Sequence, residues 1–486
     1  MRKIRIGWAS VSITPDRPVL MLGQMYHRVS EYVRDPLTAT ALALDNGESQ
    51  AVFVSLDMTE PPLGLEDRLR ASLSDLEGFD VGCVSLGATH THSSTDFNRD
   101  FLRDDNEAVF GADILPPLEM DPEVLWGGEA QAFLLERLSD VIRRAWEGRT
   151  EGGVSSVQEY AVTGFNRRAT FAADGRSETV MYGDCSRAEF TGFENGADSG
   201  VGLLYTWDAK GDLTGVVINV STPSQVFELH RFLTADFWAF VREDVRSSLG
   251  SVHVLALCGA AGDVSPVDLV RVSRENKEAL RIWGGQTGEV YRNFDMTRLC
   301  AGIGRRVGDA VRRGLSEARA FIDYAPAFAH RVLELSLPLR QVTQAEYEEA
   351  AEEIARIRST HSADRRMTME EVVRAFEPQG VVLRYRQQQE EQTVQVRSHV
   401  VRIGDAALAT NPFELFHAYG LRMKARTPAK PLMVVQLSNG LGGYLPTQAA
   451  IEGGSYSSKA ASTQCGPEGG DRLVEETVRA VCGLFR

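Results

Sequence analysis

Two histidines one residue apart, His90 and His92, stand in the run Gly87-Ala88-Thr89-His90-Thr91-His92-Ser93-Ser94, in a chain of 486 residues with nine histidines in all. Imidazole is the commonest protein ligand for zinc and a proton carrier near neutral pH, so the pair is a candidate metal or proton-transfer site. The apolar run before it, Val81-Gly82-Cys83-Val84-Ser85-Leu86, reads as a short buried strand. Residues two apart on a strand share a face, which predicts two imidazoles side by side at the strand's end. Two ordinary hydrogen-bonded histidines would have the same spacing, so the rest of the chain must decide.

Other positions could contribute. The apolar run Val252–Cys258 empties into Gly259-Ala260-Ala261-Gly262-Asp263-Val264-Ser265-Pro266. Small residues there let the backbone approach a ligand, or simply make a tight turn. A helix is expected from about Glu414 to Met423, which puts His417 near Glu414 on one face. Asp57 ends a strand and can cap the next segment or reach the site. His253, flanked by apolar residues, reads as a core histidine. His27, His330, His361 and His399 have no neighbours that suggest chemistry.

The elements that would position these groups alternate in type. Residues 38–58 read as a hairpin around Asn46-Gly47, and residues 201–220 as a second hairpin. Helices are expected at about 65–76, 130–146, 235–249, 296–318, 344–358 and 471–484, with further strands at 154–162, 396–402, 406–410 and 431–437. Residues 98–127, rich in Asp, Gly and Pro, read as a long loop of the kind that forms lids. Residues 343–395 are charged and read as a helical insertion. The expected class is α/β, with mixed β-sheets flanked by helices in a single domain over 1–486.

Composition narrows the function. Hydrophobic content of 43% and charged content of 24% suit a soluble globular chain. A formal net charge of −15 argues against nucleic acid and against anionic membrane surfaces. No apolar run reaches the ~20 residues of a membrane helix, and no signal core is evident. The six cysteines are scattered without CxxC spacing. A cytoplasmic protein with reduced thiols, acting on a small molecule, is the expectation. The sequence leaves the oligomeric state open.

The order of motifs resembles the neutral/alkaline, non-lysosomal ceramidase family. The likeness runs through Ser12-Ile13-Thr14-Pro15, Leu37-Thr38-Ala39-Thr40-Ala41-Leu42, Val54-Ser55-Leu56-Asp57 and Thr89-His90-Thr91-His92-Ser93. It continues at Asn166-Arg167, Ala235-Asp236, Gly262-Asp263-Val264-Ser265-Pro266, Ile403-Gly404-Asp405, Phe413-Glu414 and Gly443-Tyr444-Leu445-Pro446. The resemblance implies a ceramidase-like catalytic domain, here without the family's C-terminal immunoglobulin-like domain. It implies zinc, or another divalent cation, held by His90, a second histidine, Glu414 and Tyr444. It places His92, Arg167 and Tyr456 at substrate or oxyanion, Ser265 nearby, and Asp263 as a group that orients a ligand. One position departs: Pro223 falls where the second histidine should be. Gln225 is the expected replacement, with Glu228 or His230 as alternatives. A hard oxygen there would weaken zinc or favour another ion; a bound metal is the expectation, with loss of the metal as the alternative.

The resemblance implies metal-assisted hydrolysis of an amide (N-acyl) bond. The cation would lower the pKa of bound water, His92 or Asp263 would relay the proton, and Arg167 and Tyr456 would stabilise the oxyanion. Ser94-Thr95-Asp96 replaces the usual Gly-Pro after the histidines, so the substrate is not expected to be ceramide itself. A second reading is a hydrolase on the same scaffold that cuts a glycoside or ester. A third is a non-catalytic binding protein, recognised by ligand-dependent stabilisation without turnover. A TIM-barrel amidohydrolase also uses His-x-His, but on its first strand, and here two strands precede His90.

Overall fold

Three parallel strand pairs end on one side of the molecule, and the loops that leave them build the site. The structure is a computed structural model that describes residues 2–97, 101–117, 120–173, 175–275 and 296–486. Its large sheet has eight strands: β1 (Ile4–Ser12), β2 (Thr38–Asp45), β3 (Gln50–Leu56), β4 (Val84–Ala88), β5 (Thr150–Tyr160), β6 (Gly200–Asp208), β7 (Leu213–Val220) and β8 (His253–Cys258). They lie in the order β8-β7-β6-β5-β1-β2-β3-β4. The two end pairs, β3 with β4 and β7 with β8, are parallel. The pairs between them are antiparallel, including the Asn46-Gly47 hairpin.

The sheet curls until its edge strands meet. Ser55 Oγ donates to Ala256 O at 2.6 Å, and Trp8 stacks on the His253 ring at 5.4 Å. His253 is thus a packed histidine, in line with its apolar neighbours. A second sheet of four strands, β9 (Phe328–Pro338), β10 (Thr393–Ile403), β11 (Ala406–Thr410) and β12 (Leu432–Val435), lies against the first. Leu42, Leu44, Phe53, Leu204, Val217 and Leu257 from one sheet and Val401, Leu408, Met433 and Val435 from the other form one buried cluster. Such strands bury both faces, which explains their unbroken apolar runs. Helices Gly127–Glu147, Phe237–Leu249, Met296–Ala320 and Pro467–Leu484 cover the outside. Among the described residues, no helix is long and apolar enough to cross a membrane.

Several expected elements differ in detail. Val81–Cys83 is a 3-10 turn, capped by Asp80 accepting from Gly82 N, so the strand before the histidines begins at Val84. Residues 98–127 are not all loop, since Phe101–Phe110 is a helix; residues 98–100 and 118–119 lie outside the described residues. Its Val109 and Phe110 pack with Ala350, Ile354, Val372 and Val382 of helices Gln344–Thr360, Met369–Arg374 and Phe376–Glu390. Burial against a neighbour supplies what the polar sequence of this helix does not. Asp57 neither caps a helix nor reaches the site. Its carboxylate forms a buried two-pronged pair with Arg242, at 2.7 and 2.9 Å, and accepts from Thr38 N.

Candidate active site

The site forms where the chain leaves β4, β8, β11 and β12. After β12 the backbone bridges the two sheets: Gln436 N donates to Cys258 O, and Ala88 N to Leu437 O. The histidines are not placed by strand alternation as expected. β4 stops at Ala88, and His90 turns into the left-handed region at φ 63. The two rings still meet, with centroids 4.9 Å apart and planes 35° from one another. A tight turn, and not a pleat, brings them together.

Glu414 does not open a helix. Glu414–Leu415 is a short strand paired in parallel with Tyr444–Leu445, with Glu414 opposite Tyr444; the helix begins at His417. Phe413, Leu415 and Phe416 are all buried, which anchors this extended stretch. Close backbone contact finishes the arrangement. A Cβ on Gly262 would lie 2.3 Å from Glu414 O, so the small residues after β8 serve packing against the Glu414 backbone. Gly443, at φ 64, turns the chain into Tyr444.

His90, Glu414, Tyr444, Arg167 and Tyr456 come together. His90 Nε2 lies 3.7 Å from Glu414 Oε2. The Arg167 guanidinium, 2% exposed, sits between the Tyr182 and Tyr444 rings, each 5.6 Å away. It donates to Tyr182 OH and Tyr444 OH, both at 3.0 Å, and to Gly262 O at 2.8 Å. Its Nη2 is 4.0 Å from Glu414 Oε2. The Tyr456 ring meets Tyr444 edge-on at 5.6 Å. Among the described residues, Glu414 Oε2 has no hydrogen-bond partner.

Electrostatics follow from burial. Desolvation pushes the Glu414 carboxyl up to about 7, opposed by Arg167 and by the hydrogen bond from Tyr444. Burial drives His90 well below the usual imidazole range, with His92 and Arg167 adding to the effect. Burial also pushes His92 down to about 3. Desolvation and Glu414 hold the Tyr444 hydroxyl well above its usual range, so it is a protonated donor. The site therefore pairs one fixed cation with one carboxyl poised near neutrality.

The remaining predicted residues stand behind this centre. His92 Nδ1 donates to Gly23 O at 2.6 Å, and its Nε2 accepts from Gln225 Nε2 at 2.9 Å. Both ring nitrogens of His92 are engaged by these partners. The Gln225 amide spans His92 and, at 3.4 Å, Arg167 Nη1. Glu228 Oε2 is 3.4 Å from His92 Nδ1, and His230 stacks on Phe232. Asp263 is fully buried and binds His417 Nδ1 at 2.7 Å and Asn166 Nδ2 at 3.0 Å. It orients the loop after β8, with His417 as its partner. Ser265 pairs with Phe165 and hydrogen-bonds Tyr182, which in turn holds Arg167.

Sequence reasoning missed Tyr182, Arg28 and Gln436. Arg28 is buried and donates to the carbonyls of Leu22, His92, Glu228 and His230, tying three segments together. Nothing local marks Tyr182 or Arg28. Gln436 did leave a signal, a lone amide in the apolar run Pro431–Leu437.

A cleft of about 870 Å³, solvent-open mouth included, adjoins the centre. Met21, Met25, Leu115, Met369, Val372 and Phe376 line it. Phe376 lies 6.2 Å from the Tyr456 ring, so this wall reaches the site. Its mostly apolar lining suits a ligand with an apolar portion.

No protein-family model matches the sequence, and no curated protein sequence matches it. Solved structures do. The whole chain superposes on 75% of the neutral ceramidase from Pseudomonas aeruginosa with a TM-score of 0.68 at 16% identity. It superposes on 76% of a ceramidase complexed with C2 with a TM-score of 0.67 at 14% identity. The chain has a ceramidase-like fold, as the order of its motifs implied.

The resemblance implies a metal, and the donors can be tested against one. His90, Glu414 and Tyr444 converge as ligands would, and the bare Glu414 Oε2 suits a cation. Two observations oppose it. Arg167 already places a fixed positive charge beside Tyr444, Glu414 and Gln225. Gln436 presents Nε2, a donor, to His90 Nδ1. A metal-bound histidine needs an acceptor there. The set as folded does not fit a zinc ion.

Proposed function

We propose that the protein is a hydrolase of a small molecule bearing an acyl amide bond and an apolar group. The observation that carries this is Glu414, a buried carboxyl with an uncommitted oxygen, set beside the Arg167 guanidinium and the Tyr444 hydroxyl. A general base works best when its pKa lies near the working pH, and Glu414 at about 7 meets that condition. Water attacks the acyl carbon while Glu414 Oε2 takes its proton. The carbonyl oxygen becomes an oxyanion between Arg167 and Tyr444, with Tyr456 at its rim. Collapse breaks the C–N bond, and the proton on Glu414 passes to the leaving amine. Released products are a carboxylic acid and an amine. The apolar cleft supports a substrate with a hydrocarbon or aromatic portion.

A panel of N-acyl amides, aryl esters and aryl glycosides tests this reading. Turnover is expected on amides, with esters following as easier acyl transfers. Exclusive glycoside cleavage would reject it. On the best substrate, kcat/KM should rise with pH through about 7, because the ionised carboxylate is the working form. Glu414→Gln should abolish that limb and lower kcat at least about 100-fold. The same shift has a consequence for stability. The folded state holds this proton more tightly than the unfolded chain, whose Glu titrates near 4.3. The contribution of Glu414 to stability is therefore full below about pH 4.3 and lost as pH rises through about 7.

A further inference from the structure

The side chain of Gln436 is fully buried behind His90. Its Oε1 accepts from Ala261 N at 3.0 Å and from Leu415 N at 3.2 Å. Two backbone donors on one end establish which end of the amide is oxygen. The Nε2 end then lies 3.4 Å from His90 Nδ1, with Cys258 Sγ also at 3.4 Å. An amide NH₂ only donates, so His90 Nδ1 is the lone-pair nitrogen. The proton of the neutral ring sits on Nε2, the atom 3.7 Å from Glu414 Oε2. A metal-ligating histidine has the opposite arrangement: the metal takes the lone pair, and the other nitrogen donates to an acceptor.

We infer that Gln436 is a positioning residue that locks His90 as its Nε2–H tautomer, making His90 a hydrogen-bond donor facing Glu414 and leaving Arg167 to serve as the cation of a metal-free site. Two groups that the resemblance assigns to a metal, Tyr444 OH at 3.0 Å and Glu414 Oε2 at 4.0 Å, lie beside that guanidinium, as does the expected replacement ligand, Gln225 Oε1, at 3.4 Å. The inference takes its catalytic meaning from the hydrolase reading above, but its test needs no substrate.

Histidine-selective ¹⁵N labelling of the full chain, with His90→Gln to assign the signal, reads the tautomer by NMR at neutral pH. The His90 ring should show a protonated Nε2 and a bare Nδ1. Zinc alone, followed by calorimetry and metal analysis after dialysis, should give no stoichiometric site that depends on His90. Gln436→Glu keeps an acceptor for Ala261 N and Leu415 N and offers His90 Nδ1 a carboxylate. It should reverse the tautomer and raise zinc affinity at least tenfold. Gln436→Leu, which adds no charge, should release the tautomer preference if the glutamate variant does not fold. An Nδ1–H tautomer in the native protein, or one tight zinc per chain lost in His90→Gln, would overturn the inference. Either result leaves the hydrolase reading to its own assay, and an inactive protein with the expected tautomer would reject that reading alone.

Discussion

Replacing Arg167 by methionine is expected to lower turnover by about 10²–10³-fold, the range seen when one oxyanion donor is removed from an enclosed site. The reason is the number of roles this side chain combines. It supplies the fixed positive charge of the site, orients the Tyr444 hydroxyl, and ties Tyr182 and the Gly262 carbonyl to the same point. Burial disfavours its charge, but Tyr182, Tyr444 and Glu414 more than offset this, so the guanidinium is charged throughout the working range. Arg167→Lys should rescue little, because an ammonium cannot reach both tyrosines and the carbonyl in one plane. The loss should fall on kcat more than on KM, since the developing oxyanion exists only in the transition state. Steady-state kinetics on the best acyl substrate measures it, with circular dichroism to show that the variant is folded. A variant within threefold of the native kcat would refute the assignment.

The second large effect concerns stability. Arg242→Met is expected to destabilise the protein by about 3–5 kcal/mol, the cost of leaving one buried charge without its partner. Asp57 is fully buried and Arg242 nearly so, and their two contacts at 2.7 and 2.9 Å are the parallel bonds of a guanidinium–carboxylate fork. The pair ties the end of β3 to helix Phe237–Leu249 on the far side of the histidine turn. Thr89, which precedes His90, also donates to Asp57, at 3.4 Å. The double variant Asp57→Leu with Arg242→Met should recover part of the loss, because no lone charge remains. Urea denaturation of the two single variants and the double one reads the coupling directly. Additive losses would contradict a paired role.

Much of the site was legible in the sequence, and the failures have definite physical causes. The order of short motifs groups His90, Arg167, Glu414, Tyr444 and Tyr456, and the structure brings these residues together. Local pattern then misjudged how they are delivered. Glu414 looked like a helix start because a helical pattern follows it, yet three buried apolar neighbours hold it extended beside Tyr444. The histidines looked like a strand pair, yet a left-handed residue sets them. Gln225 and His92 hydrogen-bond each other and Gln225 reaches Arg167, contacts that no local pattern shows. Gln436 and His90 follow strands of different sheets and are separated by 346 residues, so no local pattern connects them. What did mark Gln436 was the cost of burying an amide, which demands partners. The helix at Phe101–Phe110 was hidden for the opposite reason: its stability comes from the helices of residues 344–390 and not from its own sequence.

The claim on which the account rests is that Glu414, with Arg167 and Tyr444, performs hydrolysis. The most direct test compares native protein with Glu414→Gln, an isosteric change at 17% exposure, on the N-acyl amide panel in chelator-treated buffer. The account predicts turnover by the native protein under these conditions and at least a 100-fold lower kcat in the variant at an unchanged melting temperature. Equal rates in the two proteins, or native turnover that appears only when a divalent metal is added back, would contradict it.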